Sequence, residues 1–541
     1  MTAQRAGDPD YEVIVIGAGI CGIYQLYRLK ELGIRATVLE KGNDLGGTWF
    51  WNRYPGARFD SESIAYGYSF SNDLLQEWDW TEHYAGQPET RRYLNYVADK
   101  FGLRRHMQFG VTVSAAHFDD AQNLWRLTVA DGRRLTSRIV VTAVGLLSAP
   151  TWPRYEGMDS FAEAYHTYDW PADPPQLDGR RVAVIGTGST GVQIIGEIAG
   201  KVGDLTVFQR HPNWCVPLNN SPISPEEMAG IKQRYDEIFE YCARTTAGHL
   251  HDTDDRSFYD VPPAERLAFW EKLYGEPGFG IWLANFKEVF TDETAMNAMS
   301  EFIAGKIRCR VYDPAVAEKL IPKDHGFGMK RVPLETRYYE AYNRDNVHLV
   351  DLLATPIERI TPSGIRTTER DYEFDVIIYA TGFDAVTGAY DRIDIRGAGG
   401  LRLREKWTGG PRTFMGVMVH GFPNMLMPVG PQSGSAASNF PRGIESGVDW
   451  TTQFIGYMLR HGYVRAEAAE EAEAAWTARV IRYYERVLLR TARGWFNGYN
   501  SNVEGHQNGL SRPLIYTGRA PRYREQMAEI AGNGYTGVDF S

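Results

Sequence analysis

Cysteine is scarce in this sequence of 541 residues. Cys21, Cys215, Cys242 and Cys309 are scattered, with no CxxC pair, and this excludes a disulfide framework or a cysteine-based zinc site. The 12 histidines form no metal-ligand pattern with them, so we predict no metal centre. Scattered cysteines are typical of proteins from a reducing compartment, and we expect a cytoplasmic protein.

The sequence also lacks an excess of positive charge and a long apolar run. At a net charge of −10, a general nucleic-acid or anionic-membrane surface is not expected. No apolar run approaches the roughly 18–20 residues of a membrane helix, and the N-terminal MTAQRAGDPD has no apolar signal-peptide core. We therefore expect small molecules as partners, no nucleic acid and no membrane, and a monomer or weak homo-oligomer.

A dinucleotide-binding pattern lies near the N-terminus. The apolar run Tyr11–Ile16 is followed by GAGICG, by a helical stretch, and by a second apolar strand that ends at Glu40. Gly17 allows the tight turn, Gly19 lets backbone amides approach a pyrophosphate, and Gly22 lets helix pack on strand. The Glu40 carboxylate accepts hydrogen bonds from a ribose. The pattern predicts a site for FAD or NAD, with the pyrophosphate on the helix N-terminus.

A second copy of the pattern begins at Arg181. RVAVI is the strand, and GTGSTG places Gly186, Gly188 and Gly191 in the three glycine positions. The next strand ends in QRH, with Arg210 in place of an acid. A carboxylate there would repel a 2′-phosphate, whereas a guanidinium binds one bidentately. Charge-assisted hydrogen bonds contribute roughly 1.5–3 kcal/mol each, so this site is predicted to bind NADPH.

The whole chain predicts an α/β protein with two Rossmann-like dinucleotide-binding domains and a mainly helical insertion. Residues 220–325 carry amphipathic helical patterns, a buried strand at 375–379 is expected to pair with the strand that ends in IVVTAVG, and a long helix is expected from about 465 to 491. The FAD domain is predicted to consist of residues 1–150 and of a C-terminal part, 385–541, with a mobile tail. The NADP domain is predicted to begin with 151–219, which the insertion, 220–325, follows. Residues 326–384 are predicted to complete the NADP domain and return the chain to the FAD domain.

Two such sites in one chain imply hydride transfer from a nicotinamide to a flavin, and the reduced flavin then needs an acceptor. A disulfide reductase would carry a CxxxxC pair after the first nucleotide unit, but Cys21 stands alone there. The other possible acceptor is molecular oxygen, and its activation at the flavin needs neither a metal nor a catalytic histidine. It does need a fixed positive charge that keeps a peroxide anionic near a substrate carbonyl.

Between the two glycine patterns, FAEAYHTYDWP resembles the FxGxxxHxxxW-P fingerprint of the type I Baeyer–Villiger monooxygenases. The segments NRYPGARFD, YAGQPE, GMKR, ATGFD and GFPN, and a Gly-Trp pair near the C-terminus, also look like that family. The resemblance extends from about Tyr11 to Arg524 and is similar to the branch of phenylacetone, steroid and large-ring ketone monooxygenases. The sequence departs from the family pattern at several places: Glu163 replaces a glycine in a fingerprint that is one residue shorter, the first strand ends in AVG where ATG is usual, His211 stands where threonine is common, and the tail GYNSNVEGH differs from the more frequent GANIPGK.

This resemblance implies an FAD- and NADPH-dependent enzyme that inserts one oxygen atom of O2 next to a ketone carbonyl. The product would be an ester or lactone, formed through a C4a-peroxyflavin and a Criegee adduct, with sulfoxidation as a side activity. The small polar segment QSGSAA, residues 432–437, matches a substrate-side loop of the family. It favours bulky or cyclic ketones.

The resemblance also implies roles for individual residues. Arg331, in GMKR, matches the catalytic arginine, and Asp60, in GARFD, matches the acid that positions it. The expected hinge between domains consists of Phe161, His166, Trp170 and Pro171. The expected cofactor-binding residues are Gly17, Gly19, Gly22, Glu40, Gly47, Thr48, Trp49, Arg58, Asp60, Tyr66, Thr187, Gly188, Ser189, Thr190, Gln193, Arg210, Lys330, Arg331 and Trp495. Among them, Lys330 is expected to contact the 2′-phosphate, and Trp495 to lie on a mobile C-terminal loop over NADP.

Two other classes of protein stay open. A flavin-containing N- or S-monooxygenase shares both glycine patterns but usually lacks the Trp-Pro ending and the catalytic arginine. A flavin-dependent redox sensor that binds a protein partner would not need Arg331 and Asp60 together.

Overall fold

A computed structural model describes residues 9–434, 438–507 and 512–541. Two sheets, each built around one of the glycine patterns, form the centre of the protein; the first is mixed and the second is parallel throughout. The predicted α/β fold with two Rossmann-like units is thereby confirmed. Within the described residues no helix is long and apolar enough to cross a membrane. The same residues contain no group of three or more histidine, cysteine or acidic side chains that could hold a metal ion.

The first sheet contains the N-terminal glycine pattern. Tyr11–Ile16 lies between Ala36–Glu40 and Arg134–Thr142, and all three run parallel. Ile14 and Val15 point to opposite faces and both are fully buried, which explains a continuous apolar run instead of an alternating one. Across the sheet the strands are Asp394–Arg396, Val113–Asp119, Leu124–Val129, Arg134–Thr142, Tyr11–Ile16, Ala36–Glu40 and Met107–Phe109, with Met425–Leu426 paired to Arg134–Thr142.

The second sheet has five strands, in the order Val347–Asp351, Asp204–Gln209, Arg181–Ile185, Val376–Tyr379 and Ala164–His166. The expectation that the strand at 375–379 pairs with the IVVTAVG strand is wrong. Val376–Tyr379 pairs instead with Arg181–Ile185 and Ala164–His166. A short buried apolar run has the same pattern in either sheet, so the sequence could not select its partner.

Helices cover the sheets and form the predicted insertion. The helices that follow the glycine turns are Ile20–Glu31 and Ser189–Ile198; those of the insertion are Pro225–Lys232, Tyr235–Arg244, Pro263–Gly275, Glu293–Arg310 and Pro314–Leu320. Four longer helices pack on the first unit: Gln87–Lys100, Phe440–His461, Glu470–Tyr484 and Ala520–Gly532. Short helices are Thr48–Trp51, Ser63–Tyr66, Asn72–Glu77, Gly280–Leu283, Tyr338–Ala341, Gly388–Asp391 and Leu403–Lys406.

Three small sheets complete the fold. Their strands are Val216–Pro217 with Leu334–Glu335; Ile357–Thr361, Gly364–Thr367 and Asp371–Glu373; and Ala466–Ala468 with Val538–Phe540. The last pair corrects the expected helix over 465–491, because a strand occupies its start and the helix itself covers only Glu470–Tyr484. Pairing with the C-terminal strand overrides the local helix preference of the alanine-rich segment.

Both glycine turns have the geometry that their residue types require. Gly17 has φ +106° and Gly186 has φ +111°, values that L side chains rarely adopt. A Cβ on Gly22 would lie 1.8 Å from the carbonyl oxygen of Gly17, and one on Gly191 would lie 2.2 Å from that of Gly186. Only glycine lets helix and strand approach so closely at these positions.

Candidate active site

Arg331 and Asp60 meet between the two nucleotide units. Arg331 follows the helical insertion, whereas Asp60 lies in the loop after the first glycine turn. Arg331 Nη1 donates a hydrogen bond to Asp60 Oδ2 over 2.6 Å. The side chain of Asp60 is 2% exposed and that of Arg331 is 29% exposed. A carboxylate buried so deeply needs a cationic partner, and the pair therefore holds the arginine in one position.

Further contacts fix this pair. The backbone N–H of Leu334 donates to the same Asp60 oxygen over 3.2 Å, and Arg331 Nη1 donates to Ser189 Oγ over 3.4 Å. The guanidinium also lies over the ring of Phe279, 5.5 Å from its centroid, which adds a cation–π contact. Phe279 was missed in the sequence because an aromatic residue in a helical insertion has the pattern of an ordinary core residue.

Three buried polar atoms near the pair, Asp60 Oδ1, Glu62 Oε2 and His249 Nδ1, have no hydrogen-bond partner among the described residues. The other oxygen of Glu62, Oε1, lies 2.7 Å from His251 Nε2. His249 packs edge-on against Phe279, the ring that the guanidinium covers. Buried polar atoms normally have hydrogen-bond partners, so these three are available to polar groups of a bound molecule.

The charge of this cluster follows from its contacts. Burial by itself would raise the pKa of Glu62, but the hydrogen bond with His251 and the charge of that ring outweigh it and hold the pKa below its ordinary value. Burial lowers the pKa of His249 to about 4. At neutral pH the site therefore combines the arginine cation with a Glu62 carboxylate and a neutral His249.

The first glycine turn forms a cradle for a pyrophosphate. Gly19 is the N-cap of the helix Ile20–Glu31 and contributes no side-chain cap, so the first N–H groups of the helix are free to bind an anion. Gly47, at φ +54°, brings a second backbone segment beside this turn, where a Cβ on it would lie 2.8 Å from the Gly19 Cα. Glu40 is 5% exposed, and its carboxylate accepts two backbone N–H groups over 2.8 and 2.7 Å. These features fit FAD.

Aromatic side chains line the loop that follows. Trp49 Nε1 donates to Tyr66 Oη over 3.1 Å, and Tyr66 stacks on a neighbouring phenylalanine at 4.1 Å. Thr48 is exposed at the start of the short helix that contains Trp49. Arg58 donates to a carboxylate and a backbone carbonyl of the segment 82–84. This segment contains two one-turn helices, Thr48–Trp51 and Ser63–Tyr66.

The second glycine turn is bonded to the first unit. Gln193 Oε1 accepts from Tyr54 Oη over 2.7 Å, and Gln193 Nε2 donates to a backbone carbonyl of the same loop over 2.9 Å. Thr187 is buried and donates to the backbone carbonyl after the next strand, whereas Thr190 lies in the first turn of the helix. A Cβ on Gly188 would meet no atom within 4 Å. This open space at an uncapped helix N-terminus fits the pyrophosphate of NADPH.

Basic residues lie beyond this turn. Arg210 is exposed at the end of the neighbouring strand, and Lys330 Nζ lies 3.2 Å from Asp324 Oδ2. The backbone of Gly494 covers the stem of Lys330, since a Cβ on this glycine would lie 3.5 Å from Lys330 Cγ. Trp495 comes next and lines a cavity of about 350 Å³ beneath the C-terminal segment. Asp324 was missed in the sequence, although it lies only six residues before Lys330.

The fingerprint stretch belongs to the second sheet at one end and contacts the first unit at the other. Ala164–His166 is the edge strand. Arg53 donates twice, over 3.1 and 2.7 Å, to the backbone carbonyl of Trp170. Phe161, His166 and Trp170 are buried, and Pro171 is partly exposed. The stretch is thus fixed at both ends, and its role as a hinge stays a prediction.

Only part of the predicted substrate-side loop is described. Gln432 is buried; its side chain donates a hydrogen bond to the backbone carbonyl of Pro411 and accepts one from Thr413. This side chain therefore stabilises the local structure. Ser433 is also buried. The remaining small residues that favoured a bulky ketone, 435–437, lie outside the described residues.

Known proteins match this chain over its whole length. A family model described as pyridine nucleotide-disulphide oxidoreductase matches residues 14–248. The chain is 45% identical to 2-oxo-Delta(3)-4,5,5-trimethylcyclopentenylacetyl-CoA monooxygenase of Pseudomonas putida, with 100% of both chains covered. It is 38% identical to a Baeyer–Villiger monooxygenase of Pseudooceanicola batsensis, covering 98% of this chain and 96% of that protein.

A solved structure gives the same result. The crystal structure of OTEMO in complex with FAD and NADP is 44% identical in sequence, covers 99% of this chain and 100% of its own, and superposes with a TM-score of 0.95. Identity of this extent over full-length chains shows the family. The chain belongs to the Baeyer–Villiger monooxygenases.

Proposed function

We propose that this chain, an FAD- and NADPH-dependent Baeyer–Villiger monooxygenase, uses Arg331 as its catalytic residue and Asp60 to hold that arginine in place. The observation that carries this proposal is the 2.6 Å contact between Arg331 Nη1 and Asp60 Oδ2. It supplies the fixed cation that the chemistry needs, at the junction of the two nucleotide units. When bound, FAD supplies the activation of oxygen and NADPH supplies the hydride.

Arg331 acts by stabilising negative charge. A guanidinium stays charged at any working pH, and a donor directed at a developing oxyanion typically contributes about 10²–10³ in kcat. Negative charge develops on the ketone oxygen when its carbonyl carbon is attacked. Because Asp60 and Ser189 both bind Nη1, Nη2 is available to that oxygen.

Asp60 is a positioning residue in this proposal. One oxygen of its carboxylate binds the guanidinium of Arg331, and the negative charge of Asp60 balances the positive charge of that guanidinium in a buried site. The N–H of Leu334 binds the same oxygen, so the segment that carries Arg331 is attached to Asp60 at two points. Asp60 therefore orients the cation.

The cofactors are assigned to the two glycine turns. FAD lies on Gly17, Gly19 and Gly22 with its ribose on Glu40, because the turn, the free helix N-terminus and the buried carboxylate fit it. NADPH lies on the turn that contains Gly188. Its 2′-phosphate lies near Arg210 and Lys330, and Trp495 covers it from the C-terminal segment.

Ring ketones are the proposed substrates. The relative from Pseudomonas putida is named for a 2-oxo cyclopentenyl compound, which supports a cyclic ketone for this chain as well. The unpartnered atoms of Glu62 and His249 support a substrate that carries a second polar group. Lactones are the expected products, and sulfoxidation is proposed as a side activity.

Arg331→Ala tests the proposal directly. We expect lactone formation from a cyclic ketone to fall at least about 100-fold, while the reduction of FAD by NADPH, followed by stopped-flow absorbance, continues. Arg344→Ala removes an exposed arginine from another surface and should change neither. Lactone formation by Arg331→Ala at the wild-type rate would overturn the assignment.

The same assay separates this function from its closest alternative. A flavin-containing N- or S-monooxygenase would oxygenate an amine or a sulfide in preference to a ketone. Product analysis with all three compounds at equal concentration should give the lactone as the main product.

A further inference from the structure

Asp324 holds a central position among the basic residues of the proposed 2′-phosphate site. Its Oδ2 lies 3.2 Å from Lys330 Nζ and 3.8 Å from His211 Nδ1. Its Oδ1 lies 2.7 Å from His325 Nδ1. One carboxylate therefore contacts a lysine and two histidines, on the side of the glycine turn where Arg210 is exposed.

This carboxylate is held firmly. The side chain of His325 is 1% exposed, and its backbone carbonyl accepts the indole N–H of Trp214 over 3.0 Å. Burial would raise the pKa of Asp324, but His325 and Lys330 more than offset it and keep the pKa below its ordinary value. Asp324 is therefore negatively charged at neutral pH, where the nucleotide would bind.

We propose that Asp324 is a specificity-determining residue that binds Lys330 and faces His211 where a 2′-phosphate would bind, so that the 2′-phosphate of NADP has to displace Asp324 from Lys330. This inference rests on the proposed placement of NADPH in the second site. It assigns to this chain an internal counter-ion that weakens the binding of nucleotides with a 2′-phosphate.

The geometry gives the direction of the effect. Lys330 is 18% exposed and its stem lies under Gly494, so the ammonium has little room to leave the carboxylate. A phosphate dianion beside Asp324 would meet a like charge, and Coulomb repulsion between them lowers affinity. A nucleotide with a 2′-hydroxyl carries no such charge, so Asp324 has little effect on it.

Asp324→Asn tests this inference by equilibrium binding to the FAD-loaded enzyme. Replacing the carboxylate by an amide of the same shape should lower the Kd for NADP⁺ roughly three- to tenfold, an estimate reduced for the 38% exposure of the side chain. The Kd for NAD⁺ should change less than about twofold. The gain for NADP⁺ should shrink as salt is raised, because it is electrostatic.

Two further variants complete the design. Asp324→Ser removes the same charge with a smaller side chain, and serves if the asparagine variant does not fold. Glu318→Gln is the matched control, since it removes a charge from the same segment but faces Arg308 and Lys323. We expect it to leave both dissociation constants unchanged.

The outcomes are distinct. A higher or unchanged Kd for NADP⁺ in both Asp324 variants would overturn the inference, and a higher value would mean that Asp324 orients Lys330 for the phosphate. Arg210→Ala separates this result from the proposed function. If the Arg210 variant binds NADP⁺ as tightly as the wild type, the placement of the nucleotide itself is wrong.

Discussion

Arg331 and Asp60, 271 residues apart in the chain, form a 2.6 Å ion pair that joins the end of the helical insertion to the loop of the first nucleotide unit. Ser189, from the turn of the second unit, accepts from the same guanidinium nitrogen. The position of the cation therefore depends on how three parts of the fold pack together. A small shift of any of them would move the charge relative to the substrate.

Asp60→Asn should uncouple the enzyme without unfolding it. The amide keeps the shape of the side chain but loses the charge that orients Arg331, so lactone formed per NADPH consumed should fall about 10- to 100-fold. The ratio of lactone to NADPH, with hydrogen peroxide measured in parallel, checks this. Asp371→Asn breaks an exposed pair with Arg366 and should keep the wild-type ratio. Equal ratios in the two variants would remove Asp60 from the mechanism.

Alanine substitutions at two glycines of the second turn should have different effects, one on the binding of NADP⁺ and the other on the stability of the fold. Gly188 has φ −76°, and a Cβ added to it would meet no atom within 4 Å. Gly188→Ala should therefore leave the apparent Tm within about 1 °C. It should raise the Kd for NADP⁺ about tenfold or more, because the methyl group takes the place of the pyrophosphate. A Cβ on Gly191 would lie 2.2 Å from the carbonyl oxygen of Gly186, so Gly191→Ala should cost about 1–3 kcal/mol of stability. Thermal melting and NADP⁺ titration of both variants test the contrast, which fails if the two alanines behave alike.

Glu163 stands where the fingerprint was expected to have a glycine, and its side chain forms an ion pair with Arg180. Its carboxylate accepts two hydrogen bonds from Arg180, over 2.7 and 3.0 Å, and Arg180 also donates to the backbone carbonyl of Asp375. The edge strand Ala164–His166 is thereby attached to the rest of the second sheet by side chains as well as by its backbone. In place of a flexible glycine, this chain has a side-chain link at the start of the linker.

Glu163→Gly should loosen that link and change how the units reorient. Exposed ion pairs contribute little stability, about 0–1 kcal/mol, so the apparent Tm should change slightly. If the linker acts as the predicted hinge, the rate of FAD reduction by NADPH, measured by stopped flow, should change severalfold. Glu373→Gln breaks a pair at the same end of the sheet and is the control. If both variants reduce FAD at the wild-type rate, the linker does not govern this motion.

The sequence predicted those parts of the site that local geometry or charge dictates. Gly17 and Gly186 were predictable because the tight turns they form exclude other residues, whereas the role of Arg210 as a phosphate ligand stays a prediction. The partner of Val376–Tyr379 was not predictable, because its apolar pattern is the same for both sheets. Phe279 and Asp324 were missed for a similar reason: only the packing of the insertion brings them to Arg331 and Lys330.

Two buried histidines should make stability fall in mild acid. Burial lowers the pKa of His166 and of His249 to about 4 in the folded protein, against about 6.5 in an unfolded chain. Between about pH 4 and pH 6.5 the two histidines bind protons in the unfolded chain but not in the folded protein. The free energy of unfolding therefore rises with pH over this range, and above about pH 6.5 the two histidines no longer change it. Each histidine contributes about 3 kcal/mol over this window.

His249→Phe should reduce that dependence, because phenylalanine fills the same space beside Phe279 and cannot bind a proton. The apparent Tm of the FAD-loaded protein, measured from pH 4.5 to 7.5, should fall less steeply toward acid in this variant than in the wild type. His461→Gln changes an exposed histidine at a helix end and should keep the wild-type slope. An unchanged slope in His249→Phe would mean that His249 binds its proton equally well in the folded and the unfolded protein, and the lowered pKa assigned to it would be wrong.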